Sequence, residues 1–174
     1  MKNWRNGFLL ASLIIVLTGC TSIPEKVEPV SPFVLEKYLG QWYEIARLDH
    51  SFERGLRDVT ATYSMREDGG VRVINRGIDE QGEESIAEGK AYFTGDENVA
   101  ALKVSFFGPF YGGYNVAKLD DNYTMSLVIG PTTNYAWILA RNPNPSKRQC
   151  EAYSQKAQEI GVDTSEWIWI GSCQ

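Results

Sequence analysis

From Trp42 onward the chain breaks into short segments, each rich in β-branched and aromatic residues and each ended by a turn signal. The segments are 42–49, 58–67, 70–78, 85–95, 99–107, 113–119, 123–129 and 134–141. Between them stand Asp68-Gly69-Gly70, Asp79 to Gly82, Gly95 to Asn98, Gly108-Pro109, Asp120 to Asn122 and Gly130-Pro131. Eight strands at near-regular spacing, joined mostly by tight turns, point to an antiparallel meander. A meander left open exposes two edges; closing it into an up-and-down barrel removes them. The expected class is all-β: an eight-stranded antiparallel barrel.

Alternation supports a wall with one face toward the core. Between Val59 and Arg66 apolar and polar residues take turns. Leu102, Val104 and Phe106 share a face opposite Ala101, Lys103 and Ser105, and Tyr123, Met125, Leu127 and Ile129 alternate with Thr124, Ser126 and Val128. Val34 to Leu39 reads as a short helical turn ended by Gly40. A C-terminal helix follows the strands. Ser146 and Gln149 form a capping box, Cys150, Tyr153, Ala157 and Ile160 recur at helical spacing, and Gly161 suits the stop. That stripe is expected to pack on the outside of the barrel, with Trp167 to Ile170 as a short ninth strand.

The first nineteen residues belong to processing. Lys2 and Arg5 precede an apolar run from Phe8 to Leu17 that is short for a membrane span. Leu17-Thr18-Gly19-Cys20 resembles the lipobox of bacterial lipoproteins. The resemblance implies cleavage before Cys20, acylation of that residue, and, with Thr21 next, sorting to the outer membrane, where the protein faces the periplasm. The division is then 1–19 signal peptide, 20–32 lipidated Cys and tether, and 33–174 folded domain. Pro24, Pro29 and Pro32 mark the tether as extended. With Cys20 lipidated, Cys150 and Cys173 remain, and in an oxidising compartment they read as a disulfide, two separate buried thiols being the alternative.

The resemblance extends to a fold family. Gly40-Gln41-Trp42 followed by Tyr43 to Arg47, then Gly112 to Asp120 with Tyr123, then Arg141 after Trp137 to Ala140, are similar to the three ordered signatures of the lipocalins. The runs Trp42 to Leu56 and Ala101 to Leu119 resemble the bacterial outer-membrane branch. The resemblance implies a lipocalin barrel, Arg141 laid across the Trp42 ring at the closed end as a structural contact, and the connection from His50 to Leu56 as a lid over the open end.

An eight-stranded barrel has room for side chains or for one small ligand. Trp137, Tyr111, Tyr114 and Tyr63 are the candidate inward aromatics with a polar tip, suited to an apolar chain and its head group. Phe106 and Met125 would add apolar wall; the plain alternative is that each fills core. In the lid, His50, Arg54 and Arg57 either meet a carboxylate or phosphate or belong to a solvated loop. Glu44 shares a face with Trp42 and Ala46, and if buried it requires a partner, with Arg76 and Lys90 as candidates.

A single histidine, His50, leaves no basis for a catalytic triad, the Cys spacing matches no zinc site, and no phosphate-cradling glycine motif occurs. No enzyme activity, cofactor or metal is expected, and a net charge of −5 argues against nucleic acid as a partner. Two readings remain. One is a carrier that binds, stores or transports a fatty acid or lysophospholipid and meets the membrane through its lipid anchor. The other is an envelope lipoprotein whose filled barrel is a scaffold and whose loops bind another protein.

Overall fold

The computed structural model describes residues 21–173; the segment expected to be a signal peptide and Cys20 lie outside the described residues. Eight strands run β1 Gly40–Arg47, β2 Arg57–Met65, β3 Val71–Ile78, β4 Glu84–Phe93, β5 Ala101–Phe107, β6 Phe110–Leu119, β7 Met125–Ile129 and β8 Ala136–Ala140. Each pairs antiparallel with the next, and β1 pairs with both β8 and β2, so the sheet closes on itself. A one-turn helix, α1 (Leu35–Tyr38), precedes β1, and α2 (Lys147–Glu159) and β9 (Ile168–Trp169) follow β8.

The closure is uneven. Gly40 to Tyr43 pair with β2, whereas Ala46 and Arg47 pair with β9, so β1 leaves β2 part-way up the barrel. That end, with the Leu48–Leu56 loop and the β3–β4, β5–β6 and β7–β8 connections, is the mouth. The other, with α1 and the remaining turns, is the floor.

Two apolar clusters result. One fills the barrel around Trp42, Tyr63, Val73, Leu102 and Val116. The other lies between the outer wall and α2, where Cys150, Tyr153, Ala157 and Ile160 pack on Ile45, Met125, Leu127, Ile129 and Ile138. The helix has the expected capping box, and Gly161 takes φ +96°, a left-handed turn that favours glycine. Cys150 and Cys173 are bridged, their Cα atoms 6.2 Å apart.

Strand β7 corrects one expectation. All five of its residues are buried, because α2 covers its outer face. Met125 falls on that outer side, and Tyr153 donates its hydroxyl to the Met125 carbonyl at 2.7 Å. The more polar alternate residues, Ser126 and Val128, face the barrel instead.

The N-terminal segment is extended, as its prolines dictate, but it is not a free spacer. Val27 is buried against the helix-side cluster. The Val30 N–H donates to the Val116 carbonyl and the Val30 carbonyl accepts from Ala100, both at 2.9 Å. The segment therefore lies along the wall.

Candidate functional site: the barrel interior and its mouth

At the floor, Trp42 is fully buried and donates from Nε1 to the Tyr38 carbonyl at 2.8 Å. The Arg141 guanidinium lies 4.0 Å from the Trp42 ring centroid, as the resemblance implied. It also donates to the carbonyls of Lys37, Tyr38, Leu39 and Gln41 at 2.7–3.1 Å. Gly40 has φ +91°, and a Cβ there would sit 3.3 Å from Arg141 Nη1. The signature glycine thus satisfies a backbone need and a close approach together.

Above the floor three phenols converge. The Tyr114 hydroxyl lies 2.8 Å from that of Tyr38 and 2.9 Å from that of Tyr63, and Tyr38 also meets Ser126 Oγ at 3.0 Å. Burial pushes the Tyr38 phenol up to about 12 and raises those of Tyr63 and Tyr114 as well. The cluster is neutral and offers hydrogen bonds rather than charge. Walled by Phe33, Val71, Val73, Ala91, Leu102 and Val104, it encloses about 20 Å³, room for about one water.

Toward the mouth the inward positions become small. The register that brings Val71 opposite Ala91 continues through Val73–Gly89 and Asn75–Ala87 to Gly77–Ser85. Ala87 and Ser85 are solvent-exposed although they share the inner face, so the upper barrel is open to water. A Cβ on Gly89 would lie 2.8 Å from the Phe106 ring, so the glycine lets that ring lie flat across β4. Asn75 Oδ1 is buried with no partner among the described residues.

The mouth itself carries a charged group. Glu44 and Arg47 form a buried ion pair, Oε1 to Nη1 2.6 Å, and Arg47 Nη2 donates to the carbonyls of Glu53 and Leu56 at 2.8 and 3.0 Å. Trp137 Nε1 donates to Glu53 Oε2 at 2.9 Å. Arg47 Nε has no partner among the described residues. Burial, reinforced by the neighbouring Glu53 carboxylate and opposed by Arg47, pushes the Glu44 carboxyl up to about 8. Burial raises Glu53 too, against the Trp137 hydrogen bond. His50 stacks between Tyr135 and Phe52, with centroids 4.5 and 5.3 Å away, and desolvation lowers its pKa.

The interior thus brings together Tyr63, Tyr114, Phe106 and Trp137. It does not include Met125, as described, nor Tyr111. Counting by twos from inward Tyr114 puts Tyr111 on the outer face, beside Tyr92, with Lys103 Nζ 5.1 Å from its centroid. Of the lid cations, Arg54 pairs with Asp49 and Arg57 with Asp58, all at the surface. Glu44 is inward and buried, but Ala46 is not on its face, and its partner is Arg47. Arg76 reaches Glu84 on the outer surface, and Lys90, opposite Ser105, shares that outer side. Sequence reading missed Arg47, Glu53, Asn75 and Tyr38. The lid reading names His50, Arg54 and Arg57, whereas the buried acid that the lid brings to Trp137 is Glu53.

A closed eight-stranded barrel with an outer helix, an Arg-on-Trp floor and a lidded mouth defines a class of binding proteins. The Lipocalin-like domain family matches residues 33–172, and the chain belongs to that family. It is 51% identical over 158 residues to the outer membrane lipoprotein Blc of Vibrio cholerae, covering 90% of this chain and 92% of that one. Against the protein of the same name in Escherichia coli K12 it is 51% identical over 161 residues, covering 92% and 91%. Insecticyanin from the tobacco hornworm shares the fold, with a TM-score of 0.68 at 19% identity over 88% of each chain. The chain is a binding protein rather than an enzyme, and it groups with outer-membrane lipoproteins.

Proposed function

We propose that this protein is an outer-membrane lipoprotein, anchored through Cys20 and facing the periplasm, that holds one fatty acid or lysophospholipid in its barrel. One observation carries the reading. The inner wall is apolar, its inward positions become small toward the mouth, and it carries buried polar atoms with no partner among the described residues, Asn75 Oδ1 on the wall and Arg47 Nε in the charged group at the mouth. An acyl chain would lie above the filled floor, along Phe106 and the small inward positions of β4, leaving its polar end near Arg47 and Trp137. Transport or storage follows from reversible occupancy, since no group in the interior is set up to alter the ligand.

The filled floor favours the scaffold reading for that end alone: about 20 Å³ admits no acyl chain. A cleft of about 340 Å³ also lies outside the barrel, between Thr124, Arg141 and the start of α2, but its one cation is committed to backbone carbonyls. The test is calorimetry on protein beginning at Thr21, stripped of lipid and titrated with a lysophospholipid and a long-chain fatty acid. Saturable one-site binding weakened in Trp137→Ala supports the carrier. No heat with either, and no copurified lipid in native mass spectra, returns the scaffold.

A further inference from the structure

We propose that the barrel mouth faces the bilayer, with the β5–β6 hairpin lowered into the lipid headgroup region beside the anchor. The inference rests on the reading of Cys20 as lipidated, and it adds an orientation and a contact surface that this reading alone does not supply.

The first ground is the course of the N-terminal segment. Thr21 follows Cys20 in the chain, and Ser22 Oγ donates to the Pro131 carbonyl, in the β7–β8 connection at the mouth, at 3.4 Å. The Ser22 carbonyl also crosses β6 closely: a Cβ on Gly113 would lie 3.1 Å from it. From there the chain descends the wall through Val27 and Val30 and reaches the floor, where the Phe33 N–H donates to the Asn98 carbonyl at 2.9 Å. A free tether of this length would let the barrel face any way. A docked one leaves only Thr21 between the acylated residue and Ser22, two Cα steps or about 7.6 Å of chain.

The second ground is the hairpin next to that attachment. Phe107 and Phe110 flank Gly108-Pro109 at its tip and are 81% and 79% exposed, the most exposed large hydrophobic residues among those described. Two phenylalanines held in water at the tip of a turn are unfavourable there and suited to an apolar medium. Behind them on the outer face, Tyr111 with Lys103 over its ring supplies the aromatic and cationic groups that suit a headgroup layer. Phe106 packs inside the barrel and Phe107, next to it, is exposed, so the hairpin joins the bilayer side to the ligand side.

Charge sets the tilt of the barrel. The floor turns carry Glu67, Asp68, Asp96, Glu97, Asp120 and Asp121, which anionic headgroups repel. The β3–β4 turn at the mouth, with Asp79, Glu80 and Glu83, is acidic as well. The barrel therefore tilts, hairpin down and that turn raised. A lipid could then pass from leaflet to interior without crossing water.

The experiment uses the full lipidated protein, grown with para-fluorophenylalanine and reconstituted in phosphatidylethanolamine–phosphatidylglycerol vesicles carrying a nitroxide-labelled lipid. Single Phe→Leu variants assign the fluorine resonances. The expected result is that the Phe107 and Phe110 signals broaden beyond detection while Phe33 and Phe93, at the floor, keep their widths. Equal widths at all four positions in protein shown by mass to be acylated overturn the orientation and leave the anchor standing. Signals that instead change with protein concentration, not with nitroxide, mean a second copy covers the hairpin, and overturn it too. Absence of acylation overturns the anchor and the orientation together.

Discussion

Glu44 and Arg47 stand three residues apart on one strand, yet their side chains meet inside the barrel at 2.6 Å. In a regular strand such residues face opposite ways. Here the β1–β8 register slips between Glu44 and Ala46, so Ile45 and Ala46 both face α2 and Arg47 returns to the interior. The pair then holds the lid through the Glu53 and Leu56 carbonyls. Two buried carboxyl groups share one guanidinium, which is why burial and mutual repulsion keep a proton on the pair near neutrality.

That proton makes stability pH-dependent. Glu44 in the folded protein sits at about 8, above its ordinary 4.5, so between those values the native state binds more proton than the unfolded chain. Its contribution is full below pH 4.5 and is lost as pH rises through about 8. Glu44→Gln removes this slope. The variant should gain on the parent by more than about 1 kcal/mol between pH 5 and pH 8 in paired urea titrations. His50, lowered by burial, acts in the opposite direction but is present in both proteins and cancels. Parallel curves would refute the buried-proton account.

Arg141→Lys should destabilise the protein by about 2–4 kcal/mol. A lysine can neither fork to four carbonyls nor lie flat on the Trp42 ring. Chemical unfolding followed by near-ultraviolet circular dichroism reads both the loss and the freed Trp42. A change within error would mean water replaces the guanidinium at no cost.

Gly89→Ala tests whether the inner wall is as close as it looks. The new Cβ would lie 2.7 Å from the Ser105 carbonyl oxygen and 2.8 Å from the Phe106 ring. Overpacking of this kind costs about 1–3 kcal/mol. Gly95→Ala, with nothing within 4 Å and no positive φ, is the control and should melt like the parent.

Opening the Cys150–Cys173 bridge should cost about 3 kcal/mol by the chain-entropy argument, from a sequence separation of 23. The double Ser variant and the reduced parent should melt together, and lower than the oxidised parent. If reduction leaves the melting temperature unchanged, α2 is held by its apolar stripe alone.

Much of this molecule is legible before folding. Ser146 and Gln149 cap a helix because the two groups satisfy each other's backbone donors locally, and Gly161 ends it by the same local logic. The strand spacing defines a barrel because tight turns allow little else. Trp42 and Arg141 are legible through a resemblance, not through their spacing of nearly one hundred residues.

What failed was the assignment of faces. Alternation puts Met125 inside because its set is the more apolar one, but a strand covered by α2 is buried on both sides, and apolarity then no longer says which side is interior. Tyr111 counts as a candidate for its polar-tipped ring alone; strand β6 begins earlier than expected, at Phe110, and parity from Tyr114 sends it outward. Glu44 lost its true partner to a one-residue bulge that leaves no mark in composition or period.

The sequence by itself determined the barrel, the capped helix and the floor contact, because these rest on local turn chemistry, periodicity and a familiar signature. The tertiary structure alone decided that Arg47 is the partner of buried Glu44, that three tyrosines share a hydroxyl cluster, and that the N-terminal segment is docked with its start at the mouth. Those depend on which distant strands meet and at what register, and a single slipped residue changes them.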